Sequence, residues 1–349
     1  MWLCRIKISS ISRLFGQKCL LLQALIAKSN KEMEKNKALE AHLSIFAACA
    51  IWGLMAPLGK DAMTHGLDGI TMVSFRVMGG AILFWLTTFV MMLLKRRRGE
   101  SLPHVPLRDR LTFAGAAVFG LVCNQCCFTI GLSITSPVNA SIVTTSMPIF
   151  AMILSFLILR EPITWKKAGG VAVGCAGALT LVLTSVNAAD AKVGDVRGDV
   201  LVMCAQLSYA LFLSLFNRFI KKYDIVTVNR WMFLWATILV WPFTLSHVAQ
   251  TDWQAVPLRS WLEAGYVVVF GTFVGYLLIV TAQKVLRPTV VSIYNYVQPA
   301  VAVAVTVLTG MGVFKPTQGL AVLLVFVGVW LVTKSKSRRD MEKNSLADG

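Results

Sequence analysis

The sequence predicts an all-α integral membrane protein, with ten transmembrane helices laid out as two inverted five-helix repeats. Three observations lead there. Apolar runs of bilayer length recur with hardly a pause, the basic residues sort to one side of those runs, and the second half of the chain repeats the first.

Of 349 residues, 56% are hydrophobic and 15% are charged, against about 25% charged in ordinary soluble domains. A spanning helix needs roughly 20 mainly apolar residues. Such runs cover 43–59, 70–94, 111–134, 138–159, 168–186, 199–217, 230–249, 261–283, 289–309 and 317–333. The connections are too short to hold a soluble domain. The domain plan is therefore an N-terminal segment 1–40, a first repeat 43–183, a second repeat 198–333 and a basic tail 334–349. The N-terminal segment is basic and partly amphipathic, but Arg13 and Lys18 break its apolar core, which makes it a poor signal peptide. Met33 opens a compact, charged lead into the first run, so the natural start is expected there. The rival reading is a helix lying on the membrane surface.

A net charge of +17 is a common mark of nucleic-acid binding, but its placement says otherwise. With a cytoplasmic N-terminus and ten crossings, 27 of the 34 Lys and Arg residues fall on the cytoplasmic side and five on the other. Arg76 and Arg230 lie within runs. That is the positive-inside pattern. The charge sets topology, no nucleic-acid partner is expected, and both termini are placed in the cytoplasm of a bacterial-type inner membrane.

The repeat is visible at a shift of 151 residues. "VFG" at 118–120 meets "VFG" at 269–271, Pro137 meets Pro288, Ser141 meets Ser292, Pro148 meets Pro299, and "GALTLV" from Gly177 meets "GVWLVT" from Gly328. Upstream the offset drifts, so that "AIWGLMAPLGK" aligns with "LSYALFLSLFN", and Arg76 in "SFRVM" with Arg230 in "VNRWM". Five spans per repeat is an odd number, which turns the second repeat upside down. Inverted repeats with a midplane site are a recurring plan of secondary transporters.

On these residues the chain resembles the drug/metabolite transporter superfamily, in its EamA-type branch. The motifs are "AIWGLMAPLGK", the early Arg76, and "GLSITSPVNASIVTTSMPIFAMILSFLILREPITWKKAGGVAVGCAGALTLV", repeated as "PTVVSIYNYVQPAVAVAVTVLTGMGVFKPTQGLAVLLVFVGVWLV". The resemblance implies a ten-span carrier of amino acids, other metabolites or drugs. One departure stands out: the family's turn glutamate, present as Glu161 in the first repeat, is Gly312 in the second.

None of the 17 acidic residues lies mid-span, and a buried carboxylate is the usual cation or proton site of membrane carriers. That argues against the small-multidrug-pump mechanism. Arg76 and Arg230 each lie about 8–10 Å from a helix start. Each either attracts a substrate carboxylate and gates one mouth of a cavity, or snorkels and pairs helices. Two proline-framed helices follow, with Asn139 after Pro137, and Tyr294, Asn295, Tyr296 and Gln298 after Pro288. Proline suits a helix's first turn, whereas Pro148 and Pro299 are expected to kink their helices. Small hydroxyl residues either line a cavity or glue helices. The larger second cluster is expected to line the pore.

Trp52, Met55, Asn124, Gln125, Gln206, Tyr209, Tyr276 and Gln283 complete the candidate site. Aromatic walls and amides suit a neutral or zwitterionic molecule of amino-acid size. The expected function is export of such a metabolite by alternating access, from a monomer or homodimer in the lipid bilayer. A drug efflux carrier is the alternative within that class. No GxxxxGK[ST] occurs, and neither a cofactor nor a metal set is expected: the "CNQCC" cysteines lack a second pair. A membrane-embedded lipid-handling enzyme would need a catalytic cluster that the sequence does not offer.

Overall fold

The computed structural model describes residues 2–100, 104–135, 137–185, 195–308 and 316–336; the side chains of residues 2–32 lie outside this description, as do Gly312 and most of the tail. The described residues form helical rods and no strand. In chain order these are α1 (Trp2–Thr64), α2 (Gly69–Arg97), α3 (Leu107–Ile134), α4 (Pro137–Thr144 and Met147–Leu159), α5 (Trp165–Ser185), α6 (Val196–Leu215), α7 (Ile225–Gln250), α8 (Leu258–Val285), α9 (Pro288–Leu308) and α10 (Pro316–Thr333). Eight stretches are long and apolar enough to cross a membrane: Met33–Thr64 of α1, Asn139–Leu159 of α4, and α2, α3, α6, α7, α8 and α10.

The rods are inside-out relative to a soluble bundle. Leu86, Phe89, Leu157, Phe243 and Trp330 are exposed, while Thr71, Ser74, Gln125, Thr129, Asn229, Thr272 and Gln283 are buried. Lipid solvates the apolar side chains, and polar groups must find partners within the bundle. Acidic side chains at rod ends do capping work. Asp68 accepts from the Thr71 amide and Asp224 from the Thr227 amide, satisfying donors that a helix start leaves unpaired. Burial opposes the charge of Asp68, but Thr71 and His247 outweigh it and hold its carboxyl below the usual range. Lys95, Arg96 and Arg97 close the last turn of α2, where a cation meets the negative end of the helix dipole.

Counted from these caps, the two arginines fall at different helix positions. Arg76 is eight residues beyond Asp68, and Arg230 six beyond Asp224. At 3.6 residues per turn, two residues turn a side chain by about 200°, so the two arginines leave their helices on opposite faces.

The prolines also act differently from the expected mid-helix kink. The α-ladder stops before each. Residues 145–146 form a turn ahead of Met147–Leu159, and Tyr294–Tyr296 form a 3-10 turn ahead of Val297–Leu308. Pro148 then sits in the first turn of a new helical piece, where its missing N–H costs nothing. Two further irregularities match across the repeats, a π-helical stretch Val118–Cys123 in α3 and another Val267–Val274 in α8.

Glycines let the repeats meet. The α5 and α10 rods pack along Gly170, Gly174, Gly177 and Gly328. A Cβ on Gly328 would lie 2.7 Å from the Gly170 carbonyl oxygen and 2.7 Å from the Gly174 Cα. Close backbone approach through small residues drives helix association in lipid, where hydrophobic exclusion gives little. Gly328→Val should therefore destabilise the fold by about 1–3 kcal/mol, read as a lower melting temperature of the purified protein. Gly169→Ala, with nothing within 4 Å of its added carbon, should leave it unchanged. Equal effects of the two would contradict this packing.

Candidate functional site: a cavity on the repeat axis

Two contacts mark the axis that relates the repeats. The Gln125 amide donates to the Tyr276 hydroxyl at 3.1 Å, and the Tyr296 hydroxyl to the Thr145 carbonyl at 3.2 Å; the partners of each pair are 151 residues apart. Each pair is thus a residue touching its own repeat equivalent. Beside the first of these contacts, with Tyr276 on its wall, lies a small, partly open cavity of about 70 Å³.

Each wall follows from a local feature of the sequence. Pro148 and Pro299 cannot donate to the carbonyls four residues earlier, at Thr144 and Asn295, and both of those residues face the cavity. Directly after the π stretches come Asn124 on α3 and, one residue into the α-helix, Tyr276 on α8; both line it. Gly271 and Gly275 make room for α1: added carbons would sit 2.6 Å from Met55 Sδ and 2.8 Å from Trp52 Nε1. Trp52 donates to the Gly271 carbonyl at 2.8 Å and stands edge-on to Tyr276, with ring centres 6.1 Å apart. In the other repeat Gly120 plays the matching part, closing on Phe212. Gln206 and Tyr209 of α6 and Gln298 of α9 complete the lining.

The one full charge on this wall is Arg76. It is 5% exposed, and it donates to Thr129 at 3.0 Å and to Thr272 at 3.5 Å. Among the described residues no carboxylate pairs with it. A desolvated cation held only by hydroxyls is expensive, and Arg76 lines the cavity together with Trp52, Tyr276 and Phe128. Amides supply neutral donors and acceptors: Asn124 is fixed on the Ala205 carbonyl at 3.0 Å, and Gln298 donates to Asn295 at 2.8 Å.

Of the expected site residues, Trp52, Met55, Arg76, Asn124, Gln206, Tyr209, Tyr276, Asn295 and Gln298 come together here. Gln125 and Gln283 stand one layer back, holding Tyr276 and Tyr209 by their hydroxyls. Tyr294 and Tyr296 do not line the cavity. The 3-10 turn carries the Tyr294 hydroxyl to His42 at 2.9 Å and buries Tyr296 against Gly174, with its hydroxyl on α4 and α5 carbonyls. Asn139 donates to Asp199 at 3.2 Å, near the rod ends. Arg230 lies on the far face of α7, among tryptophans. Phe128 was not expected, although it lies four residues after Asn124 and so on the same helix face. Thr144, left open between lining and packing, is on the wall.

The cavity is lined by residues of both repeats, and the comparisons give the class of protein. The EamA-like transporter family model matches residues 39–183 and 196–334, so the chain belongs to that family. It is a membrane transporter of the drug/metabolite superfamily rather than an enzyme. The chain is 21% identical over 304 residues to the uncharacterized transporter YetK of Bacillus subtilis, covering 87% of this chain and 90% of that protein. It is 27% identical over 268 residues to an S-adenosylmethionine/S-adenosylhomocysteine transporter of Chlamydia trachomatis serovar L2, covering 74% and 78%. One solved crystal structure aligns with a TM-score of 0.64 over 84% of this chain and 96% of its own, at 15% identity, which speaks for the fold.

Gly275→Ala should push the Trp52 indole into the cavity and lower transport several-fold at unchanged protein level, whereas Gly265→Ala, with open space around its added carbon, should not. Equal transport by both variants, measured in proteoliposomes, would remove Trp52 from the wall.

Proposed function

We propose that this protein is a secondary carrier that exports a small organic solute bearing a carboxylate, of amino-acid character, by alternating access. The observation that carries this is Arg76. It is a buried guanidinium with no carboxylate partner among the described residues, flanked by aromatic rings and amides on the wall between the repeats. A carboxylate would neutralise it through charge-assisted hydrogen bonds. Trp52, Tyr276 and Phe128 suit a flat or apolar remainder of the solute. The chlamydial relatives, whose named solutes join an amino-acid carboxylate to an aromatic ring system, support a second reading within this class: an adenosyl amino acid.

In this reading the chain crosses an inner membrane ten times with both termini cytoplasmic, α5 and α9 included, and works as a monomer or homodimer. The wall residues form the substrate site, and Arg230 stands apart from it. Residues 288–297 at the start of α9 are buried throughout. In the matching start of α4, Asn139, Ser141, Ile142, Val143, Thr144 and Ser146 are only half-buried. One end is thus sealed more tightly than the other, and the sealed end carries the basic connections. An exchange of these two arrangements between the repeats would open the cavity to the opposite face.

The test is counterflow in proteoliposomes loaded with candidate amino acids, adenosyl amino acids or cationic drugs. Arg76→Gln should raise KM for a carboxylated solute at least about tenfold, in line with loss of a charged hydrogen bond, and Arg230→Gln should change KM less than twofold. Unchanged KM in Arg76→Gln, or transport restricted to cations without a carboxylate, would sink the reading.

A further inference from the structure

We propose that the junction of α2, α3 and α7 at the basic end binds the phosphate of an anionic lipid headgroup. The inference stands apart from the transport reading, because Arg230 lines no part of the cavity. Its guanidinium carbon lies 5.8 Å from the centre of the Trp85 ring and 5.8 Å from that of Trp231, and the Arg110 guanidinium lies 5.1 Å from the same Trp231 ring. Two cations therefore share one indole. Such contacts are attractive one at a time within about 6 Å, but the two guanidinium groups repel each other.

Asp224 is the one carboxylate whose field favours the Arg230 charge, against the repulsion from Arg110. Neither arginine has an ion pair among the described residues. Neither nearby carboxylate reaches an arginine of the cluster by hydrogen bond: Asp109 accepts from Lys222 and Tyr223, and Asp224 caps the Thr227 amide, so it acts on Arg230 only at a distance. Arg230 is 7% exposed and makes no hydrogen bond among the described residues. Its Nε and the Trp231 indole nitrogen are buried donors without acceptors. Buried donors are nearly always satisfied, so this cluster is missing an acceptor, and the charge says the acceptor is an anion. Arg110 uses its Nε on the Val105 carbonyl, which leaves its terminal nitrogens for the same ligand.

Location separates lipid from solute. Trp85 is 38% exposed and is followed by exposed Leu86 and Phe89, a side facing acyl chains. Arg230 is six residues past its helix cap, about 9 Å along the axis, close enough for an arginine to reach the headgroup layer. Lys95, Arg96 and Arg97 in the last turn of α2 add positive potential at the same end. Basic pockets between helices at the cytoplasmic side suit acidic headgroups.

The full chain, purified in neutral detergent, would be titrated with short-chain phosphatidylglycerol, phosphatidylcholine or inorganic phosphate. Binding is read by native mass spectrometry and by the shift in melting temperature. Phosphatidylglycerol should bind and raise the melting temperature, while phosphatidylcholine should not. Arg230→Gln and Arg110→Gln should each weaken phosphatidylglycerol about tenfold or more, and Arg218→Gln, an exposed basic residue of the same end, should not. Trp85→Leu keeps both charges at a surface position and should weaken binding through loss of the ring. Equal affinity in wild type, Arg110→Gln and Arg230→Gln would overturn the site. Displacement of the lipid by equimolar inorganic phosphate would overturn the lipid assignment in favour of a soluble phosphate.

Discussion

Inside a bilayer every backbone N–H and C=O must find a partner in the protein, because hydrocarbon offers none. The described chain obeys this by running as helix, and it leaves the regular α-ladder within its rods at four places: 118–123, 145–146, 267–274 and 294–296. The last contains the wall residue Asn295, and the others end within two residues of one: Asn124, Thr144 and Tyr276. Departures that lipid would penalise are tolerated where the backbone faces other protein or a wet space. The irregular backbone thus clusters about the cavity. It also accounts for the matched glycines: Gly271 and Gly120 admit Met55 and Phe212 at equivalent points of the two repeats.

Much of this was legible in the sequence, because the signals were of the kind that a bilayer enforces. Apolar length and charge sidedness set the all-helical membrane class, and the 151-residue shift gave a repeat whose equivalents Gln125 and Tyr276 touch. Nine of the expected residues share the cavity wall. The errors have physical causes. Tyr294 and Tyr296 looked like lining because they are large and polar, yet a 3-10 turn swings them into the packing between repeats. The opposite holds for Thr144, whose small hydroxyl is on the wall. Arg76 and Arg230 matched by their neighbours, but helix caps fix rotation about the axis, and the caps set them two residues apart. The π stretches left no signal in composition at all.

The division of labour between those arginines is the clearest gain from the structure. One sits on the axis, held by two threonines and open to the cavity. The other sits at the rim with a second arginine and two tryptophans. Both are intramembrane charges, which mark function by default, and they are proposed to take different anions: a solute carboxylate for Arg76, a headgroup phosphate for Arg230. The start of α9 is buried, whereas the matching start of α4 is half-buried. In the proposed reading, the buried start of α9 closes the basic side and the half-buried start of α4 leaves the other looser.

The central claim is that one cavity between the repeats opens in turn to both faces. Single cysteines at positions 144 and 295, in a background stripped of the native thiols, would be probed with a membrane-impermeant maleimide from each side of sealed vesicles of known orientation. Labelling of both positions from the face opposite the basic connections, labelling of both from the basic face as well, and protection from either side by a transported solute are the predicted results. Labelling confined to one face under all solute gradients, or no protection by solute, would contradict the claim.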